Sequence, residues 1–290
     1  MIIALLTAAI LFFIPSDARA WGTGAHLYIA RGVVDSMLLN GSGDLPAMLV
    51  RNYAAFALGN IMPDVFAVRD WFLKPTAPLV HGWTAAHRLL RASQKEEEAA
   101  FSLGYISHLS SDVICHNFFI PGYAFTRERM GGMAHIIAEA RVEGYIGHPW
   151  GHDEVSRLLG LGGSLNEFFV TNAGLGTKEF KRHSALLENA FRLKVRSRLD
   201  DLAFRTDSGI SAKADSHIGL SIGLSANAVK RPFDSPALDY CPDGGKRIDL
   251  SMMRRRAFIR LKSFKSFRKR IDEGKFDYIH RVPQSLRGLV

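Results

Sequence analysis

His108, Asp112 and His116 follow one another at four-residue steps, and His135 and Glu139 repeat the step further along the chain. On an α-helix, residues four apart stack on one face with Cβ atoms about 5–6 Å apart. Neutral imidazoles and carboxylates converging in this way are zinc ligands, and a catalytic zinc site keeps one position open for water. Paired metals can clamp the attacking and leaving oxygens of a phosphoryl displacement. Further ligand types, His26, Asp64, His81 and His87, precede this stretch, whereas beyond His152 the chain offers only His183, His217 and His280. Asp112 sits beside Val113, Ile114 and Cys115. A carboxylate on so apolar a helix face is costly unless something compensates it, and a ligand role does so. Asp64 follows Pro63, so it projects from a fixed corner, either as a ligand or as a plain turn residue.

These residues need helices to carry them. Apolar spacing predicts a helix over 26–39, with Thr23 as its cap, and a second over 45–58, capped by Asp44 with Pro46 in the first turn. Asn40 to Asp44 reads as a turn, and Gly59-Asn60 ends the second helix. A Pro-rich loop leads to His81, and a helical pattern covers 82–94. The acidic run Glu96–Glu98 opens the long helix that bears His108 and Asp112, and Pro121-Gly122 is expected to break it. Gly131-Gly132 precede the helix of His135 and Glu139. Beyond the glycines at 160–163, residues 178–202 read as one charged amphipathic helix, and residues 206–250 show no firm period. Residues 252–271 form a basic amphipathic pattern with Ala257, Leu261, Phe264 and Ile271 on one face. No strand alternation and no internal repeat stands out. The expected fold is all-α: a helical metal-binding region over 21–160, then a helical, partly irregular region over 161–290 packed on it.

The chain has 290 residues, ample for a globular core. Residues 2–14 form an apolar run too short to span a bilayer comfortably, followed by Ala18-Arg19-Ala20. This is the pattern of a secretory signal peptide over 1–20, though no basic residue precedes the run. Cleavage after Ala20 would make Trp21 the first residue, in a secreted or periplasmic protein. Two cysteines, Cys115 and Cys241, exclude a disulfide-built scaffold and allow at most one bridge. The net charge of +9 suits anionic partners, and much of it lies near the C-terminus. The basic helix is therefore either a solvated face packed on the core or a contact with anionic membrane.

With Trp21 directly after the expected cleavage site and its clustered His, Asp and Glu, the sequence resembles the zinc-dependent phospholipase C family, which is related in fold to the single-strand-specific fungal zinc nucleases. The resemblance spans roughly Trp21 to Glu139. In that family an N-terminal Trp binds zinc through its amino group and carbonyl oxygen, and signal cleavage would place Trp21 there. The resemblance implies three zinc ions. One is held by Asp64, His81, His108 and Asp112, a second by His116, His135 and Glu139, and a third by Trp21, His26 and the shared Asp112. It implies Asp64 as general base toward the attacking water. Glu139 matches the phospholipases, where the nucleases usually carry Asp. Two departures stand out: familiar members place the second-site His further beyond the shared Asp than His116, and His87 competes with the preferred His81, with His148 and His152 as further fallbacks. Cys115 is expected in the core, since zinc in this family takes no thiolate.

The resemblance implies phosphodiester hydrolysis, foremost of glycerophospholipids, with phospholipid as the partner; peripheral contact with anionic membrane is the alternative reading of the basic helix, and no protein partner is inferred. The rivals are a secreted nuclease or nucleotidase on the same scaffold, for which nucleic acid is the substrate, and a non-catalytic zinc- or membrane-binding protein.

Overall fold

The computed structural model describes residues 21–40, 43–65, 80–126, 134–147, 152–197, 199–205, 211–244 and 282–289. The regular structure of these residues is entirely helical, without a strand among them. The signal-peptide pattern at 1–20 and the basic pattern at 252–271 lie outside the described residues.

The architecture centres on one buried helix, α5 (Glu96–Ile114), preceded by α1 (Thr23–Asn40), α2 (Asp44–Arg51), α3 (Tyr53–Ile61) and α4 (Trp83–Ala92). From Ala100 to Ile114 every residue of α5 is buried, polar and apolar alike. Three glutamates in its first turn complement the helix dipole. Helices α3, α4 and α12 (Ser211–Lys230) pack against α5, and α1 packs on α3 and α12. The α3–α5 crossing depends on two glycines. A Cβ on Gly59 would lie 2.0 Å from the Phe101 carbonyl oxygen, and one on Gly104 would lie 2.1 Å from that of Phe56. That close approach brings the end of α3, with Asn60, against the face of α5 that bears His108.

After Ile114 the chain winds wider through a five-residue π-turn, Cys115–Phe119, and continues as α6 (Ile120–Thr126). The break expected at Pro121-Gly122 does not occur. A proline within a helix lacks an N–H and clashes with the carbonyl four residues back, and the π-turn just before it changes that register. The helix expected over 45–58 is likewise two, α2 and α3, because Asn52 turns its side-chain amide onto the Met48 carbonyl at 3.0 Å and leaves helical geometry. Gly43, rather than Asp44, precedes α2 as its cap, and α1 begins at Thr23 itself.

The remaining helices are α7 (Ala134–Ile146), α8 (His152–Leu161), α9 (Gly163–Ala173), α10 (Thr177–Ser197), α11 (Leu199–Arg205) and, near the C-terminus, the short α13 (Gln284–Arg287). The charged helix expected over 178–202 is thus divided between α10 and α11. Helix α12 occupies part of the stretch expected to lack a period. Its Ala214, Ile218, Leu220, Ser221, Leu224, Ser225 and Ala228 are all buried, so contact on more than one side erases the one-sided pattern. The Ser225 hydroxyl donates to the Ser107 carbonyl of α5 at 2.9 Å. One apolar core runs from Trp21 through α12, joining the N-terminal helices to residues of the C-terminal half. No helix among the described residues is long and apolar enough to cross a membrane.

Candidate metal centre

Five of the sequence-derived ligands meet around one turn of α5. His108 and Asp112 stand on that helix, His26 comes from α1, Asp64 from the short 3-10 turn Pro63–Val65, and His81 from the residue pair before α4. All five are buried. His81 Nε2 lies 3.0 Å and His108 Nε2 3.1 Å from Asp112 Oδ2, while His26 Nε2 lies 3.4 Å from Oδ1. The Asp64 oxygens stand 3.9 Å from His26 Nε2 and from His108 Nε2.

The outer nitrogens decide what the inner ones can do. His108 Nδ1 lies 2.7 Å from the Asn60 carbonyl oxygen, which can only accept, so Nδ1 carries the proton. The Ser111 hydroxyl donates to the His108 carbonyl at 2.8 Å and is therefore an acceptor for His26 Nδ1 at 3.2 Å. His81 Nδ1 faces the Asp243 carboxylate at 2.6 Å. In the neutral tautomers that follow, all three imidazoles aim a lone pair at Asp112, and His81 Nε2 and His108 Nε2 face each other at 3.0 Å. Such a ring of acceptors requires a cation or an added proton at its centre.

The spacings fit zinc. Ligand atoms about 2.0–2.1 Å from a tetrahedral ion stand roughly 3.3 Å from one another, and the measured edges run from 3.0 to 3.9 Å. Two triads bring one ligand atom from each residue within 4.8 Å of one another among the described residues: His26, His108 and Asp112, and Asp64, His81 and His108. His26 Nε2, His81 Nδ1 and Asp112 Oδ1 are buried without a well-aligned hydrogen bond within the protein, and for His81 Nδ1 the Asp243 carboxylate at 2.6 Å supplies a close charge contact instead.

The titration of these groups carries the same imprint. Burial works to raise the Asp112 pKa, but His108 and His26 outweigh it and hold the carboxyl well below its usual range. Burial works to lower His81, yet hydrogen bonds and charge from Asp112 and Asp243 lift it well above an ordinary imidazole. His108 is pushed down by burial and by His26.

The other expected ligands are placed less directly. Trp21 is fully buried, its indole N–H donating to the Ser111 carbonyl at 3.1 Å and its ring stacking on Phe119 at 4.9 Å. Ser111 thus touches both Trp21 and His26. His116 lies in the π-turn, so regular α-helical stacking on Asp112 does not extend to it, and it joins neither triad. Glu139 is buried on α7 near enough to act, with Asp112 and above all burial, in raising the Cys115 thiol pKa. The side chain of His135 lies outside the described residues, as do His148 and the side chain of His152. His87 faces outward from the cluster, its Nε2 2.8 Å from the Pro232 carbonyl oxygen, so geometry separates it from His81. Cys115 and Cys241 form no disulfide; the first is buried in the core and the second is exposed.

Several contributors escaped the reading of the sequence. Asn60, Ser111 and Asp243 set imidazole tautomers. Tyr105 donates its hydroxyl to the Val80 carbonyl and tethers the residue beside His81. Glu143 accepts from the Ala25 N–H at 2.8 Å and so secures the start of the helix carrying His26. Only Glu143 left a sequence signal, since it extends the four-residue step from His135 and Glu139.

No curated protein and no solved structure matches the chain. A family model described as zinc dependent phospholipase C matches residues 25–170, half of the chain and all the ligands above except Trp21. Together with an all-α fold and a buried histidine–aspartate centre of zinc dimensions, that match shows that the chain belongs to the zinc-dependent phospholipase C family.

Proposed function

We propose that the protein is an exported zinc hydrolase that cleaves the phosphodiester bond of glycerophospholipids and releases the phosphorylated head group. The observation that carries this reading is the convergence of three imidazole lone pairs on Asp112 beside a second carboxylate, Asp64. Zinc held there supplies Lewis-acid chemistry, neutralising charge on phosphoryl oxygens and making water nucleophilic at neutral pH.

The residues divide the remaining work. His81, His108, Asp112 and Asp64 would hold one ion. His116, His135 and Glu139 would hold a second, and Trp21, His26 and Asp112 a third. Asp64 keeps a looser distance to the imidazoles than Asp112, which leaves it the carboxylate suited to take a proton from attacking water. Asp112, fully enclosed and held ionised, serves as the fixed anion between His26 and the His81–His108 pair. The indole N–H of Trp21 on the Ser111 carbonyl anchors this residue next to the partner of His26, and cleavage behind Ala20 would give it the free amino group that a ligand role needs. Glu139 favours lipid over nucleic acid as substrate, in keeping with the phospholipase pattern.

The test compares purified mature protein on phosphatidylcholine and phosphatidylethanolamine vesicles with its action on single-stranded DNA. Release of phosphocholine or phosphoethanolamine, abolished by a chelator and restored by zinc, is expected. Nucleotide release without lipid cleavage would assign the nuclease reading instead. Inactivity on both in the zinc-loaded protein would leave a zinc-binding protein without this chemistry.

A further inference from the structure

Asp243 lies outside the residues matched to the family, in the turn that follows the short 3-10 helix Pro236–Asp239 beyond α12. Its carboxylate nevertheless stands 2.6 Å from His81 Nδ1. That turn is built against the metal centre at several points. The Trp83 indole N–H donates to the Tyr240 carbonyl at 2.8 Å, and the Asn117 amide donates to the Cys241 carbonyl at 3.0 Å. Gly244 N–H closes the turn on the Cys241 carbonyl at 3.0 Å, with a positive φ of 78° that suits glycine, and packs on the His116 backbone. Two of these anchors, Trp83 and Asn117, belong to elements flanking the site: the first residue of α4, two positions after His81, and the π-turn after Asp112.

We infer that Asp243 is a positioning residue for the zinc centre, acting through His81, so that the C-terminal half of the chain helps set the metal affinity of the N-terminal half. A carboxylate on the outer nitrogen keeps the proton on Nδ1, orients the ring and makes Nε2 a stronger donor to metal. Asn60 does this for His108 and Ser111 for His26 through neutral oxygens; Asp243 alone of the three brings a charge. Its side chain is 39% exposed, so replacing it leaves no closed cavity and the fold should survive.

The inference rests on the zinc reading and is tested on zinc retention, not turnover. Zinc affinity is measured on the full mature chain by competition with a chelating indicator, for wild type, Asp243→Asn, Asp243→Ala, His81→Ala and the double variant His81→Ala/Asp243→Ala. Each Asp243 variant should bind zinc about tenfold to a hundredfold more weakly. Once His81 is gone, removing Asp243 should cost nothing more. Affinities within twofold of wild type, or losses that simply add in the double variant, overturn the inference while leaving the zinc reading intact. A wild type that takes up no zinc rejects both. Should the variants not fold, imidazole NMR of the zinc-loaded wild type decides alone: His81 must carry its proton on Nδ1 and zinc on Nε2, and the opposite tautomer overturns the inference.

Discussion

Glu143 on α7 accepts a hydrogen bond from the Ala25 N–H at 2.8 Å, across 118 positions of sequence. Its carboxylate fills the space beside Gly22 and Gly24, so that a Cβ on Gly24 would come within 2.5 Å of it. The helix that delivers His26 is therefore held at its N-terminus by an anion from the helix that carries Glu139. Glu143→Ala removes the acceptor of the buried Ala25 N–H, which costs about 1–3 kcal/mol. Urea unfolding of the metal-free protein measures this, and Glu143→Gln, which keeps an acceptor, should lose less. Equal stability of the alanine variant and wild type would exclude an anchoring role.

Gly59→Ala should be the more damaging change, although it lies outside the ligand set. The added methyl meets the Phe101 backbone rather than a movable side chain, so α3 and α5 must separate. Overpacking of this kind costs about 1–3 kcal/mol or more. It should also weaken zinc binding, because the Asn60 carbonyl that orients His108 moves with α3. A variant with full stability and full zinc content would show that the crossing is looser than described.

Asp112→Asn should strip the centre of metal. Asp112 faces all three imidazoles at 3.0–3.4 Å, and an amide neither carries the charge nor binds zinc well. Elemental analysis after desalting should find at least one zinc fewer per chain, with lipid hydrolysis down by a factor of about a hundred or more. Retained zinc at the wild-type ratio contradicts the assignment.

His81→Ala and His87→Ala should part company. The first removes a ligand and should reduce zinc content. The second removes a hydrogen bond to the Pro232 carbonyl, a loss of about 0.5–1.5 kcal/mol in stability with zinc content unchanged. The reverse pattern would exchange their roles.

The gain in stability from zinc should increase with pH. In the metal-free protein His81 is raised well above its ordinary value. Its stabilising contribution is complete below the unfolded value of about 6.5 and is lost as pH rises through the folded one. Asp112, held low, contributes above its unfolded value of about 3.9 and loses that contribution only as pH falls through its depressed folded value. Zinc must displace the His81 proton, so the difference in Tm between zinc-loaded and chelated protein should widen from about pH 6 to about pH 8. A constant or narrowing difference would mean that His81 does not compete with a proton for the metal.

How much of this was legible beforehand can be judged residue by residue. His108 and Asp112 declared themselves because four-residue spacing is local and survives in any helix. The resemblance added His26, Asp64 and His81, and all three meet the α5 pair. His116 failed to follow the regular pattern because the π-turn begins one residue before it, and that turn has no clear compositional sign. Helix α12 was hidden because its many sides are buried, which removes the amphipathic contrast that a reading by periodicity needs.

By itself, then, the sequence determined that the chain is helical, that its ligand chemistry lies in the first half, and which side chains can bind zinc. Those properties depend on residue type and near-neighbour spacing. Only the tertiary structure decided which nitrogen of each imidazole faces inward, that His81 and not His87 joins the cluster, and that Asp243 and Glu143 reach the site from far along the chain. Hydrogen-bond partners such as Asn60, Ser111 and Asp243 act through position in space, and one carbonyl or carboxylate among many has no mark in sequence until packing brings it to a ring nitrogen.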